Sequence, residues 1–287
     1  MGSFSILNNI SGVYAQNQLN INNVNLARTL LRLSSGKRIN TGADDAAGLQ
    51  IADSLRANVR ALDQAVRNAN DGIGVAQIAD GALQEITNLL TRVVTLAEQA
   101  ATDTVDDTGR ASLHNEFVSI QAEIARIATQ TNFNGNGVFT TTGVNGSLSV
   151  YVGDLTGSSS IAVTINTITV SGDTVTSIGS GNTDLSGVSL ATQSGAATAL
   201  ATIKEAINGV SNDRASIGAG MNRLQSAVAV LQTQSQNTLA AESNIRDANM
   251  ALEVSNLTKF QILAQSGIAA LAQANSNSQL VLNLLRG

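Results

Sequence analysis

Apolar residues recur at alternating steps of four and three along much of this chain, a spacing that restricts it to long helices packed side by side. Leu55, Val59, Leu62, Val66, Ala69, Ile73 and Ala76 form the first series. Beyond Asp80, which falls on the same stripe, Leu83, Ile86, Leu90, Val93, Ala97 and Ala100 continue it after a phase slip. A second series runs Leu113, Phe117, Ile120, Ile124 and Ile127; a third runs Leu200, Ile203, Ile207, Val210, Arg214, Ile217, Met221, Leu224, Val228 and Leu231. Each stripe gives one helix an apolar seam, and three such helices can bury their seams against one another. A helix from about Asp45 to Ala100 would be roughly 80 Å long at the α-helical rise. The absence of Pro fits such lengths, because an interior Pro costs ~3 kcal/mol. The expected fold is therefore mainly α: a long coiled-coil-like rod of antiparallel helices.

Between the second and third series the texture changes. From Thr140 to Thr192 the chain is rich in Gly, Ser and Thr, with alternation at Ile161, Val163 and Ile165. The run Leu148-Ser149-Val150-Tyr151-Val152-Gly153 also reads as a strand ending in a turn. A small β region inserted at one end of the rod is expected over 140–192. Its Ser and Thr content would suit O-glycosylation, although an unmodified β surface is the simpler reading. Within the third series, Gly218 and Gly220 should each weaken the helix by about 1 kcal/mol relative to Ala. Close approach of a neighbouring helix explains them better than a kink or switch. Arg214 takes an apolar slot and reads as a rim residue whose charged end reaches water.

Composition removes whole classes of chemistry. With no Cys, thiolate chemistry and disulfides are excluded, and with His114 as the sole histidine a multi-histidine zinc site is impossible. His114 sits in no recognisable catalytic setting and reads as a solvated or core-edge residue. The net charge of -5, without a basic cluster interleaved with aromatics, disfavours nucleic acid. No run of eighteen apolar residues suggests a membrane span. The first residues lack the pattern of a cleavable signal, and Ile6 stands where a myristoylation motif needs Ser or Thr. No enzyme activity and no cofactor are expected.

The two ends differ from the middle. Residues 1–43 contain no acid, and their bases are Arg28, Arg32, Lys37 and Arg38. Residues 252–287 carry only Glu253, Lys259 and Arg286. In the first end Leu19, Leu26, Leu30 and Leu33 form one stripe, and Ile21, Val24 and Leu31 another. In the second, Leu257, Phe260, Ala264 and Leu271 share a face beside Ile262, Leu263 and Ile268. A helix apolar over so much of its surface needs several neighbours. Ordering forty residues costs several tens of kcal/mol at ~1–2 kcal/mol each. Both ends are thus expected to be largely disordered in an isolated chain and helical once assembled.

Several segments now carry a family resemblance. RLSSGKRINTGADDAAGLQIADSLR at 32–56 closely resembles the N-terminal signature of bacterial flagellins, and RNANDGIGVAQIADGAL at 67–83 continues it. QTNFNGNGVF at 130–139 is similar to the family's turn before its variable region. NIRDANMALEVSNLTKFQILAQSGIAALAQAN at 244–275 and the final LVLNLLRG resemble the C-terminal signature. One departure is Ser276-Asn277-Ser278-Gln279, where the family often has Val-Pro-Gln.

The resemblance implies a subunit of a motility filament on the outside of the bacterial cell. Residues 1–43 and 243–287 would pair as terminal helices in the filament core, packing through Leu19, Leu26, Leu30, Leu33, Leu257, Phe260 and Leu271. Residues 44–139 and 193–242 would form the rod, with 140–192 as a short solvent-facing insert. Ser34-Ser35-Gly36 and Thr41-Gly42-Ala43-Asp44-Asp45 read as a turn and helix cap, and by resemblance as the linker between core and rod. The implied partners are further copies of the chain in a helical homopolymer, the flagellar type III export apparatus and its chaperone, and the junction and cap proteins. A vertebrate Toll-like receptor for flagellin is a further implied partner. Its contacts carry over to Arg92, Leu96 and Glu116, although Thr95 stands where the family usually has Glu. The nearest alternative is a hook–filament junction protein. A zinc-protease insert would need His-Glu-x-x-His, and 140–192 contains no histidine.

Overall fold

A computed structural model describes residues 9–140, 146–154, 157 and 159–284. Ile6 and the last three residues of the terminal signature lie outside them. The described elements are α1 (Ile10–Ser35), α2 (Ala46–Ala100), α3 (Asp107–Gln130), β1 (Asn132–Phe133), β2 (Asn136–Gly137), β3 (Gly146–Tyr151), β4 (Ser160–Ile165), β5 (Thr169–Ser171), β6 (Thr174–Ser177), α4 (Gln193–Arg246) and α5 (Met250–Leu284). The fold is mainly α, with three small antiparallel strand pairs, β1–β2, β3–β4 and β5–β6. It divides into two compact units, Asn58–Gln236 and the two ends Met1–Ala57 with Asn237–Gly287.

In the unit Asn58–Gln236 the heptad stripes become a core. Leu62, Ala69, Ala76, Leu83, Ile86, Leu90 and Val93 of α2 are buried, as are Phe117, Ile120 and Ile124 of α3 and Ile203, Val210, Ile217, Leu224 and Leu231 of α4. α2 and α4 run antiparallel, tied by Ser235 Oγ donating to Asp63 Oδ1 at 2.9 Å and by Arg214 Nε donating to Asp80 Oδ1 at 2.8 Å. The two charges that interrupt the apolar stripes thus face each other at the rim, each about one-third exposed. α3 begins at an Asp106 cap, whose side chain accepts from Gly109 N, and ends at Thr131.

Only 24 residues long against the 55 of α2 and 54 of α4, α3 covers part of the groove between its longer neighbours. The β region packs one face on the helical core beside it. Burial along β4 alternates, with Val163 and Ile165 inward and Ala162 and Thr164 outward. Only the outer face meets solvent; the inner face joins the helical core through Val150, Val163, Ile165, Val175, Ile178, Leu185 and Leu190. Two glycines admit the β3–β4 hairpin. A Cβ on Gly72 of α2 would lie 2.5 Å from Val150, and one on Gly220 of α4 would lie 2.7 Å from Val163. A Cβ on Gly218 would meet nothing within 4 Å, so only one of that glycine pair is explained by close approach, and the neighbour is a strand rather than a helix.

Hydrogen bonds complete the docking of the insert. Buried Gln121 donates to the Leu185 carbonyl at 2.7 Å, and Leu190 N–H donates to His114 Nδ1 at 3.4 Å. The lone histidine is therefore a half-buried residue at the core edge. Asp213, 4% exposed, accepts from Asn166 Nδ2 at 2.6 Å and from the Ser180 N–H. Burial pushes its carboxyl above the usual Asp range, and those two donors offset only part of the shift. The FNGNG turn is a two-residue hairpin with positive φ at Asn134 (52°) and Gly135 (82°), the geometry this turn type requires.

Candidate assembly surface

In the unit formed by the two ends, α1 and α5 pack antiparallel. Their seam alternates by three and four, through Gly12, Ala15, Leu19, Asn22, Leu26, Thr29 and Leu33 of α1. From α5 come Glu253, Leu257, Phe260, Ala264, Gly267, Leu271 and Ala274. Close approach is bought with small side chains: a Cβ on Gly267 would lie 3.1 Å from Leu19 Cδ1. Asn22, 6% exposed, donates to the Phe260 carbonyl at 2.9 Å, and Asn9 donates to the Ala274 carbonyl at 3.2 Å. Leu19, Leu26, Leu33, Leu257, Phe260 and Leu271 are half-buried here. Leu30 leaves the expected stripe, because the seam passes through Thr29 instead, and it is 48% exposed beside it.

The apolar side chains off the seam of each helix have no cover. Ile21, Val24 and Leu31 of α1 are 55, 52 and 51% exposed, and Ile262, Leu263 and Ile268 of α5 are 58, 45 and 59% exposed. Ile10, Val13 and Tyr14 of α1 are exposed as well, and so are Met250, Leu252 and Val254 of α5. Fully burying one such side chain is worth roughly 1.5–3 kcal/mol. No residue of the main core cluster comes from this unit.

At the base of the pair, the linkers are joined through their backbones. Arg38 N–H donates to the Arg246 carbonyl at 2.7 Å and Ala248 N–H to the Gly36 carbonyl at 2.9 Å, forming a Lys37–Asp247 antiparallel bridge. Gly36 ends α1 in the left-handed region at φ 69°, where a glycine is favoured. Asp44 Oδ2 accepts from Asn40 N–H, Thr41 N–H and Thr41 Oγ1, and these donors, led by Thr41, hold its carboxyl below the usual range. Asp45 Oδ1 accepts from Gly48 N–H at 2.9 Å and caps α2, as the sequence pattern implies. Arg246 pairs with Asp53 at 2.9 Å and Arg56 with the buried Glu242 at 3.5 Å.

The three residues carried over as receptor contacts lie in the other unit and differ in access. Arg92 of α2 directs Nε and Nη2 to Glu116 Oε1 of α3 at 3.0 and 2.8 Å on an exposed surface. Leu96 is 1% exposed and belongs to the core, so a surface contact would require it to leave that packing. Among the described residues no group of acidic or His side chains is arranged to hold a metal, and no helix is long and apolar enough to cross a membrane.

One unit closes its own core; the other pairs through a seam in which half-buried Leu and Phe alternate with small and polar residues, and leaves further large apolar side chains outward. That combination defines an assembly subunit completed by other chains. The bacterial flagellin N-terminal helical region matches residues 6–143, and the bacterial flagellin C-terminal helical region matches 200–285. The chain is 38% identical to the flagellar filament 31.3 kDa core protein of Treponema maltophilum, with 98% of this chain and 99% of that protein covered. It is 36% identical to flagellin FlaB1 of Treponema pallidum, and 37% identical to a flagellin of Halalkalibacterium halodurans, with the same coverage in both. The chain belongs to the bacterial flagellin family.

Proposed function

We infer that this chain is a structural subunit that polymerises with copies of itself into the bacterial flagellar filament, outside the cell, where the filament serves swimming. The uncovered apolar side chains of α1 and α5 carry this reading, since only further helices can bury two outward faces at once. The full-length relatives named above are flagellins and a filament core protein, which favours the filament subunit over a hook–filament junction protein. The role is mechanical and needs no catalysis. Residues 1–43 with 243–287 act as the inner core, 44–139 with 193–242 as the rod, and 140–192 as the insert. Export through the flagellar type III apparatus with its chaperone, and contact with junction and cap proteins, follow from family membership as further proposals.

Seeded polymerisation tests the core of this reading. Purified chain is mixed with short filament fragments and followed by turbidity and electron microscopy, alongside chains lacking 1–40 or 252–287. Long filaments from the full chain alone are expected; growth by the truncated chains would overturn the role given to the ends. The ends are ordered by assembly: a single seam whose Leu and Phe side chains are only half-buried, interleaved with Gly, Ala, Asn and Thr, contributes little against a backbone cost of ~1–2 kcal/mol per residue. Protected amides in 1–40 and 252–285 of the unassembled chain would refute that ordering step. A Toll-like receptor contact through Arg92 and Glu116 is supported by their exposure and checked by Arg92→Ala, which should reduce receptor signalling while filaments still form.

A further inference from the structure

Buried, unpartnered polar atoms are rare in native proteins, and each calls for an explanation. Two of them meet at the base of the terminal helix pair: Arg32 Nε in the last turn of α1 and Glu253 Oε2 in the first turn of α5. Arg32 lies between two carboxylates. Its Nη2 is 3.8 Å from Asp44 Oδ1, and its Nη1 is 3.7 Å from Glu253 Oε1. Both distances are ion-pair separations beyond the hydrogen-bond range, so the guanidinium is shared and bonded to neither. Either bond is within reach by a small side-chain movement. Moving toward Glu253 would satisfy a carboxylate that is 6% exposed; moving toward Asp44 would use the oxygen left free by the Asn40 and Thr41 donors.

We propose that Arg32 is a two-position latch: its choice between Asp44 and Glu253 ties the end of α1 either to the linker before α2 or to the start of α5. It is a positioning residue for assembly, and the proposal rests on the filament reading only for the sample in which it is best measured. Each position offers one charge-assisted bond at the expense of the other. Contact with neighbouring copies can then select one without breaking the backbone bridge beneath.

The test compares Asp44→Asn with Glu253→Gln by hydrogen exchange of filaments grown from seeds. Each variant removes one negative charge, so a general charge effect would move both alike. Asp44→Asn should release Arg32 to Glu253, slowing exchange at the start of α5 (250–256) and speeding it at 40–44, each by about threefold. Glu253→Gln should slow exchange at 40–44 and speed it at 250–256. A double variant, Arg32→Glu with Glu253→Arg, restores the α1–α5 pair while repelling Asp44, and should reproduce the Asp44→Asn pattern. Should a single variant fail to polymerise, the double variant and the unchanged chain carry the comparison. Changes in the same direction in both single variants, or no change in the double variant, would overturn the latch. Failure of the unchanged chain to form filaments would instead count against the filament reading.

Discussion

At the heptad positions of the unit Asn58–Gln236 stand Leu62, Ile86, Leu90, Ile124 and Ile203, none more than 1% exposed. At the equivalent positions of the α1–α5 pair Gly12, Ala15, Asn22, Thr29 and Gly267 alternate with Leu19, Leu26, Leu33, Leu257, Phe260 and Leu271, which are only half-buried, while Ile21, Val24, Ile262 and Ile268 lie exposed. The same spacing thus serves opposite ends. Large side chains inside give a unit that gains its stability from its own burial. Large side chains only half-buried, with small and polar ones between them, let two helices approach closely with less gain and leave apolar surface for another chain. Helical periodicity says where a seam runs; the burial of the residues on it says whether the seam suffices.

The sharpest contrast should come from removing one leucine from each unit. Leu90→Ala empties a position that is 1% exposed and should cost about 2–5 kcal/mol, read as a lower thermal midpoint of the unassembled chain. Leu31→Ala, at a site 51% exposed, should change that midpoint by less than about 0.5 kcal/mol yet slow growth on seeds. If the two variants destabilise the unassembled chain equally, the distinction between the units collapses.

A disulfide probes the reserve directly. An ideal Cβ at Gly267 stands 4.0 Å from Leu19 Cβ, within the range a disulfide spans. In a chain free of cysteine, Leu19→Cys with Gly267→Cys should oxidise to a single intramolecular bond and stabilise the pair by about 2–4 kcal/mol. Amides of α1 and α5 in the unassembled chain should then exchange more slowly than in the parent. Absence of the bond in oxidised filaments would show that the two helices meet in another register.

The glycines offer a smaller effect whose sign depends on what lies above them. Gly72→Ala and Gly220→Ala push a methyl into Val150 and Val163 and should cost about 1–3 kcal/mol of stability. Gly218→Ala meets open space and should stabilise α4 by about 0.5–1 kcal/mol. Thermal melts of the three variants decide it; equal costs at Gly218 and Gly220 would mean that the β3–β4 hairpin does not pack where it is described.

Those glycines also mark where the sequence stops being readable. The stripes of α2, α3 and α4 were legible because large apolar residues recur with a fixed period, and β4 was legible at Ile161, Val163 and Ile165 for the same reason. Gly218 and Gly220 look alike in a sequence, since only the occupant of the space distinguishes them; the packing of the insert therefore stayed hidden. Asp80 and Arg214 each read as an interruption because their partner is 134 residues away. In the terminal pair, hydrophobic pattern pointed to leucines and passed over Asn22, Thr29 and Glu253, which are buried in the seam. Leu96 shows the converse: a residue role can be aligned by motif, but its access to solvent depends on the packing around it.

The subtlest contrast is in how the units respond to acid, because one carboxylate in each is shifted, and the two shifts are opposite. Asp44, at the base of the terminal pair, is held below the usual Asp range by its Thr41 donors first and by Asn40 and Arg32 after them. Its contribution is present above the unfolded-state pKa and is lost as pH falls through the depressed folded value. Asp213, in the other unit, is pushed above the usual range by burial. Its contribution is complete below the unfolded-state pKa and is lost as pH rises through the raised folded value. Relative to Asp44→Asn, the parent should therefore lose its advantage on acidification. Relative to Asp213→Asn, it should gain stability over the same change, once the constant offset of the amide's own hydrogen bonds is subtracted. Thermal or denaturant melts at a series of pH values, with linker exchange followed for Asp44, would measure both differences. A flat difference for Asp213 would mean that its two donors fully offset its burial beneath the insert, and a slope of the same sign as that for Asp44 would mean that they outweigh it.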